Sequence, residues 1–191
     1  MKILLASTSP RRQELLKLIA ENFEIASPKF NEDGVKAKSP KKLVEKLSCG
    51  KANAVFEKSV GDWCVIGADT IVVLGKEVLG KPKNKEDAKN MLQKLSGNKH
   101  DILTGVCVLI RHGEFETKIN FVEKTTVKMI ELSNDEIDNY INTGEPLDKA
   151  GAYAIQGKAG KFFERVSGNY HNIVGLPVCS LYKILKQEKI L

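Results

Sequence analysis

The sequence has no apolar stretch long enough to cross a bilayer, and its first residues lack the apolar core and cleavage site of a signal peptide. It contains only three histidines, none at metal-ligand spacing, so a zinc site is not expected. No internal repeat or low-complexity segment stands out. The four cysteines are widely spaced without a CxxC pair, which predicts reduced, mostly buried thiols in a cytoplasmic protein: Cys49, Cys64, Cys107 and Cys179.

The composition is that of an ordinary globular protein, with 191 residues, 42% hydrophobic and 28% charged. This length fits one large domain or two closely joined lobes and is enough to bury a core. The net charge of +6 would suit nucleic acid or a small polyanion. Because the lysines are interleaved with acidic residues along the whole chain, and no basic tail is present, nucleic-acid binding is disfavoured.

Hydrophobic periodicity and capping signals predict alternating strands and helices, which gives an α/β fold with a mixed central sheet and flanking helices. Residues 27–39 are polar and are predicted to form a loop. The helices are predicted at residues 10–19, 40–58, 84–95, 133–143 and 177–189. The strands are predicted at residues 2–6, 23–26, 65–74, 77–79, 101–110, 115–121 and 124–130.

The segment that follows the first predicted strand has the features of an anion site. Ser9 is a candidate N-cap, and Pro10 suits the first position of a helix. A helix N-terminus presents unpaired N–H groups and partial positive charge. Arg11 and Arg12 oppose the helix dipole there, but their guanidinium groups could bind phosphate oxygens. A solvated basic first turn is the alternative interpretation.

Other polar groups interrupt apolar runs. Asp69 is predicted at the end of an apolar strand, where a carboxylate is costly unless it is paired, binds a cation or is functional. Lys81 follows Gly80, and a lysine beside a glycine suits a phosphate, although such turns are common. Residues 144–157 combine small and ionisable residues, as binding loops often do. Residues 168–177 form a third polar patch before the last predicted helix.

Taken together, these segments resemble the Maf family of nucleotide pyrophosphatases over essentially the whole chain. Six segments match in order, which makes the resemblance specific. Arg11-Arg12 and residues 155–157 resemble the subgroup that acts on dTTP and UTP, with Ala154 where that subgroup usually has glycine. Cys49 and Gly50 are also unusual for the family. The matching residues are 4–12, 67–72, 80–82, 100–106, 145–157 and 174–177.

The resemblance implies hydrolysis of a nucleoside triphosphate between the α- and β-phosphates, with release of pyrophosphate. It implies that Asp69 is the catalytic base and that Mg²⁺ or Mn²⁺ binds Glu32 and Asp69, although Asp33 adjoins Glu32 in the same loop. It further implies that Arg11, Thr70 and Gln156 select the nucleobase of the substrate. The residues expected to bind the phosphates are Ser7, Arg11, Arg12, Lys51 and Lys81.

The resemblance also implies an inosine triphosphatase-like fold, a single Maf-like domain with two lobes around a nucleotide cleft, and a homodimer. Two alternatives stay open. A nucleotidyltransferase would use the same triphosphate but require an acceptor before pyrophosphate appears. A non-catalytic nucleic-acid-binding or cell-division protein, suggested by the net charge and the family's historical link to septum formation, would show salt-dependent DNA affinity without hydrolysis.

Overall fold

The computed structural model describes all 191 residues, which form seven strands, six α-helices and three short 3₁₀ helices. The strands are β1 (Lys2–Leu5), β2 (Glu24–Ile25), β3 (Trp63–Leu74), β4 (Glu77–Leu79), β5 (Lys99–His112), β6 (Phe115–Met129) and β7 (Phe163–Ser167). The α-helices are α1 (Pro10–Lys17), α2 (Pro40–Phe56), α3 (Lys85–Leu95), α4 (Asn134–Asn142), α5 (Tyr170–Val174) and α6 (Val178–Gln187). The 3₁₀ helices are Glu145–Asp148, Ala150–Ala152 and Lys158–Phe162.

The strands form one mixed sheet in the order β2-β1-β3-β5-β6-β7, with β4 paired to β3. β1 runs parallel to both β2 and β3, with Leu5 opposite Ile25 on one side and Ile66 on the other. β4 pairs antiparallel with β3, and β7 antiparallel with β6. The predicted α/β class with a mixed sheet is therefore confirmed.

The chain divides into two compact units, and β3, β5 and β6 contribute residues to both. The first unit contains Met1–Asp69, Thr104–Glu123 and Gly175–Leu191. Its core includes residues of β1, α2, β3 and β5: Leu4, Ala6, Ala52, Val55, Phe56, Val65, Cys107 and Leu109. The second unit contains Thr70–Leu103 and Lys124–Val174. Its core centres on α3 and α4 and includes Leu92, Leu95, Ile102, Met129, Ile137 and Phe162.

The predicted capping signals place three of the helix starts correctly. Ser39 and Asn84 each accept a hydrogen bond from the backbone N–H three residues on, at 3.3 and 2.8 Å. Ser133 and Glu136 form a reciprocal capping box. Ser9 occupies the predicted N-cap of α1, but its side chain makes no capping bond. Local hydrogen bonding therefore fixes these starts, with α1 as the exception.

The prediction of two strands at residues 115–121 and 124–130 is wrong, because β6 runs unbroken from Phe115 to Met129. The predicted gap at residues 122–123 does not interrupt the strand, and the polar side chains of Glu123 and Lys124 both have lateral partners. Glu123 accepts a hydrogen bond from Ser180 at 2.7 Å, and Lys124 forms an ion pair with Asp101 at 2.9 Å. Without a glycine or proline to turn the chain, the strand continues.

Two local predictions also need correction. Asp69 lies inside β3 and not at its end, since β3 continues to Leu74. Helix α1, predicted to extend to residue 19, ends at Lys17; Leu15 and Leu16 are buried, whereas Leu18, beyond the helix, is 64% exposed.

The four cysteines are free, as predicted, but only two of them are fully buried. Cys64 and Cys107 are buried, Cys49 is half-buried and Cys179 is exposed on α6. None of the helices is long and apolar enough to span a membrane.

Candidate active site

The start of α1 holds one of its two arginines in a defined place. The Ser7 hydroxyl accepts hydrogen bonds from the Ser9 backbone N–H at 3.2 Å and from Arg12 Nη1 at 3.5 Å. Arg12 Nε donates to the Gly175 carbonyl at 2.9 Å. Ser7 is buried, and Arg11 and Arg12 are half-buried. The loop before α6 therefore helps to orient the Arg12 guanidinium. The sequence alone indicated only that this residue lies at the start of α1.

The electrostatic surroundings of Arg12 combine desolvation with nearby carboxylates. Burial lowers the pKa of the Arg12 guanidinium, while Asp69 raises it, Arg11 lowers it and Glu32 raises it, in decreasing order of effect. Desolvated guanidinium groups interact more strongly with anions than solvated ones do. The group is thus well suited to an oxyanion.

Helix α2 lies unusually close to the strands that carry the other charged groups. A Cβ on Gly67 of β3 would lie 2.5 Å from the Ser48 carbonyl oxygen and 2.6 Å from the Ala52 nitrogen. A Cβ on Gly105 of β5 would lie 2.5 Å from the Val44 carbonyl oxygen. Only glycine permits this approach, which seats α2 and its Lys51 against β3.

Lys51 joins two carboxylates from different parts of the chain. Its Nζ lies 2.5 Å from Asp69 Oδ1 on β3 and 3.1 Å from Glu32 Oε1 in the loop before α2. The side chains of Lys51 and Asp69 are 10% and 11% exposed, whereas that of Glu32 is 50% exposed. The two carboxylates therefore share the Lys51 ammonium, and both also raise the pKa of the nearby Arg12 guanidinium.

In the second unit, Lys81 follows β4 on a segment held by one backbone contact. The Gly80 carbonyl accepts a hydrogen bond from the Gly151 N–H at 3.0 Å. Gly151 has a φ of +69°, and a Cβ there would lie 3.0 Å from Val72. Glycine is therefore required at position 151 for both its conformation and its packing. Lys81 itself is exposed.

Gln156 lies at an exposed turn of the same unit. The turn closes through a 3.0 Å hydrogen bond from the Gly157 N–H to the Ala154 carbonyl. Residues 144–157, predicted from their composition to form a loop, consist of two short 3₁₀ helices followed by this turn. Thr70, which follows Asp69 in β3, is half-buried.

A comparison with protein families gives a match over almost the whole chain. The family model described as Maf-like protein covers residues 2–188. The chain belongs to the Maf family. The resemblance drawn from the sequence motifs is thereby confirmed.

Curated members of the Maf family resemble this chain along its full length. A protein of Bacillus cereus strain B4264 is 46% identical over 189 residues, which is 99% of this chain and 96% of that protein. One from Aquifex aeolicus is 44% identical over 191 residues, 100% of this chain and 97% of that protein. One from Clostridium novyi is 47% identical over 189 residues, 96% of each. All three are named dTTP/UTP pyrophosphatase.

Solved structures with similar folds are much more distant in sequence. The Ham1 protein of Staphylococcus aureus has a TM-score of 0.56 at 15% identity and covers 98% of this chain and 100% of its own. The HAM1 protein of Coxiella burnetii has a TM-score of 0.52 at 12% identity and covers 98% and 99%. These similarities confirm the inosine triphosphatase-like α/β fold that the Maf resemblance implied.

The structure brings together some of the residues predicted from the Maf motifs. Ser7 contacts Arg12, and Lys51 contacts both Glu32 and Asp69. The roles of these residues stay predictions, as do the roles of Arg11, Thr70, Lys81 and Gln156 and the convergence of the last with the arginines.

Sequence reasoning missed the groups that hold the predicted residues. The Gly175 carbonyl orients Arg12, and the close approach at Gly67 and Gly105 seats Lys51. A glycine directly before the Ala-Asp of an apolar strand was a usable signal for Gly67, because glycine within a strand often marks close backbone approach. The carbonyl of Gly175 left no such signal, because every residue carries one.

Proposed function

We propose that this protein hydrolyses dTTP and UTP to the nucleoside monophosphate and pyrophosphate. Its enzyme class, a hydrolase of nucleoside triphosphates, follows from full-length relatives at 44–47% identity that are named dTTP/UTP pyrophosphatase. The observation that carries the chemical proposal is the buried Asp69 carboxylate, held at 2.5 Å by Lys51. A carboxylate fixed in this way is suited to orient and deprotonate an attacking water.

In this mechanism, Asp69 accepts a proton from water as the water oxygen bonds to the α-phosphorus. The bond from the α-phosphorus to the bridging oxygen breaks, and pyrophosphate leaves. Negative charge is redistributed over the phosphate oxygens, so fixed cations lower the barrier. We assign this role to Arg11, Arg12, Lys51 and Lys81, with the Ser7 hydroxyl as a further phosphate ligand.

Glu32 and Asp69 fit a Mg²⁺ or Mn²⁺ ion by the chemistry of their oxygen donors. No group of three or more His, Cys, Asp or Glu side chains could hold a metal ion by itself. Mg²⁺ is commonly held by one or two carboxylates together with substrate phosphates, so two carboxylates meet its needs. When bound, the ion would neutralise charge on the phosphate oxygens. Without the ion, the Lys51 ammonium balances part of the negative charge of Glu32 and Asp69.

We propose that Gln156, with Thr70 and Arg11, selects the nucleobase of the substrate. A glutamine amide offers one donor and one acceptor, which can match the imide edge of uracil or thymine. A purine would leave such polar groups unpaired, and discrimination of this kind can reach about 10⁴-fold. The 5-methyl group alone is worth only about 1–3 kcal/mol, so we expect a modest preference between dTTP and UTP.

Two further expectations come from the sequence: a homodimer from the Maf resemblance, and a cytoplasmic location from the widely spaced, unpaired cysteines. We expect a homodimer, which size-exclusion chromatography with light scattering would test. We expect a cytoplasmic location, which cell fractionation would test.

The test is pyrophosphate release from a panel of canonical nucleoside triphosphates, with and without Mg²⁺. We expect metal-dependent turnover of UTP and dTTP, little turnover of purine nucleotides, and a loss of at least about 10²-fold in Asp69→Asn, the usual range for a general base. Asp33→Asn is the matched control, because Asp33 is an exposed carboxylate in the same loop as Glu32.

Three results would contradict parts of this proposal. Near wild-type turnover by folded Asp69→Asn would exclude the base role. Pyrophosphate that appears only when an acceptor is added would indicate a nucleotidyltransferase. No pyrophosphate from any canonical nucleotide would contradict the proposed substrates and direct the search to modified pyrimidine nucleotides.

A further inference from the structure

Two side chains with no predicted role hold the turn that carries Gln156. The Tyr140 hydroxyl, on α4, donates a hydrogen bond to Glu145 Oε1 at 2.8 Å. The same hydroxyl accepts a hydrogen bond from the Ala154 N–H at 3.2 Å. The other carboxylate oxygen, Glu145 Oε2, accepts a hydrogen bond from the Lys158 N–H at 3.1 Å. These contacts fix the backbone two residues before Gln156 and two residues after it.

Because residue 157 is glycine, the Glu145 carboxylate can lie close to the backbone of the turn. A Cβ at position 157 would lie 2.4 Å from both Glu145 carboxylate oxygens, so no larger residue fits without moving the carboxylate. The carboxylate therefore lies directly against the backbone next to Gln156. This arrangement also uses both of its oxygens, one for the tyrosine and one for the turn.

The tyrosine is itself firmly placed. Tyr140 is 4% exposed, and its ring packs edge-on against Phe162 with centroids 5.7 Å apart. Burial, followed by the hydrogen bond to Glu145, raises the pKa of the Tyr140 hydroxyl. The hydroxyl therefore stays protonated at neutral pH and keeps its proton for Glu145. The pair is anchored in the core of the second unit.

The exposed side chain of Gln156 contrasts with its fixed backbone. A flexible glutamine loses rotamer entropy when it binds, and a mobile backbone would add to that loss. A turn held on both sides reduces the cost and keeps the amide at one position relative to the base.

We propose that Tyr140 and Glu145 are positioning residues that set nucleobase selectivity by fixing the backbone around Gln156. This inference rests on the proposed function, in which Gln156 reads the pyrimidine edge. Neither side chain is assigned a contact with the substrate; both act through the turn.

The experiment compares kcat and KM for UTP and GTP in Tyr140→Phe, Glu145→Gln, Gln156→Ala and the two double variants that include Gln156→Ala. Thr126→Val is the control, since it also removes a hydroxyl hydrogen bond of the second unit, donated to Asp101 at 2.6 Å, at a position far from residues 144–157 in the chain. Thermal unfolding of every variant shows whether it is folded.

We expect Tyr140→Phe and Glu145→Gln to raise KM for UTP and to reduce the UTP-over-GTP ratio of kcat/KM about tenfold, the effect of one hydrogen bond. In the Gln156→Ala background, neither change should alter the ratio further, because both act through Gln156. Thr126→Val should leave the ratio unchanged. A merely structural loss would lower the active fraction and kcat for both nucleotides without moving the ratio.

The outcomes separate the two proposals. If Gln156→Ala alters the ratio while folded Tyr140→Phe and Glu145→Gln keep the wild-type value, the positioning role is wrong and the assignment of Gln156 stands. If effects on the ratio are additive with Gln156→Ala, the pair does not act through Gln156, and the inference is overturned. If Gln156→Ala leaves the ratio unchanged, the assignment of Gln156 fails and the inference falls with it.

Discussion

The two units hold their candidate functional groups in different ways. In the first unit, charged side chains lie on regular elements and neutralise one another: Lys51 on α2 pairs with Asp69 on β3. In the second unit, Lys81 lies on an irregular segment and Gln156 lies on a turn. A backbone hydrogen bond from Gly151 to Gly80 holds the first, and the Glu145 carboxylate holds the second.

This difference separates the proposed reacting groups from the others. Asp69 and the Lys51 ammonium paired with it must be held within a fraction of an ångström of the reacting phosphate, which helices and strands achieve best. Lys81, proposed only as a charge that binds phosphate, lies outside the helices and strands. A side chain that hydrogen-bonds to the edge of a nucleobase, as proposed for Gln156, can lie on a turn, provided that the backbone of the turn is fixed. The predictions below test whether the first unit depends on charge and close packing, and the second on neutral buried hydrogen bonds.

The largest effect is expected at Lys51. Lys51→Met keeps the length of the side chain but leaves Asp69 buried without its ammonium partner. Removing one member of a buried pair costs about 3–5 kcal/mol, so we expect a comparable fall in the free energy of unfolding and a loss of turnover. Chemical denaturation and pyrophosphate release provide the two measurements.

Lys42→Met, on the same helix, is the control for Lys51→Met. Lys42 forms an exposed ion pair with Glu45 at 2.8 Å, with the lysine side chain 61% exposed. Such a surface pair contributes about 0.3–0.5 kcal/mol, so both stability and activity should stay close to wild type. Equal effects of the two substitutions would contradict the special dependence of the first unit on Lys51.

A smaller effect is expected where α2 contacts β3. In Gly67→Ala, the new methyl group would lie 2.5 Å from the Ser48 carbonyl, so the helix must move. Overpacking of this kind costs about 1–3 kcal/mol, and moving α2 should separate Lys51 from Asp69 and reduce kcat more than KM. Denaturation and steady-state kinetics measure both effects.

Gly34→Ala is the matched control for this contact, since a Cβ at Gly34 would have no atom within 4 Å. It should change neither stability nor kcat appreciably. An unaltered kcat in folded Gly67→Ala would mean that the separation of α2 from β3 does not set the geometry of Lys51.

The last expected effect concerns the second unit and the dependence of stability on pH. His100 is buried, its Nε2 lies 2.8 Å from the Tyr153 hydroxyl, and burial lowers its pKa to about 4. In the unfolded chain a histidine titrates near pH 6.5, so below that pH the unfolded state binds a proton that the folded state excludes. The free energy of unfolding should therefore fall by about 2 kcal/mol between pH 7 and pH 5.

Denaturation curves at several pH values check this dependence. His100→Gln should be less stable at pH 7 but should lose this part of the pH dependence. His112→Gln, which alters an exposed histidine, should retain it. A wild-type slope in folded His100→Gln would show that other groups produce the pH dependence.

The fold was largely predictable because its signals are local. Proline after a capping residue, the capping box of Ser133 and the short break between the strands predicted at residues 65–74 and 77–79 each act within a few residues, and each is found where predicted. The continuous β6 was missed because Glu123 and Lys124 are stabilised by Ser180 and Asp101, far away in the chain. A local pattern carries no information about such partners.

The candidate site was predictable to a similar extent: the sequence indicated the residues but not their partners. Sequence context selected Arg11, Arg12 and Asp69 as chemically active, because cations at a helix start and a carboxylate in an apolar strand are costly without a partner. Lys51 was selected only through the Maf resemblance. The sequence did not indicate that Lys51 would pair with Asp69, or that Arg12 would donate to Gly175, 163 residues later.

By itself, the sequence determined the α/β class, the helix starts, the Maf family and the chemical types available for a phosphate-rich substrate. Only the tertiary structure decided which of these groups meet: that two glycines let α2 approach β3 and β5, and that Tyr140 and Glu145 hold the turn of Gln156. The physical reason is the separation along the chain over which each interaction acts. Capping, periodicity and turn preferences act between neighbours in the chain, whereas ion pairs and close packing join residues that only folding brings together.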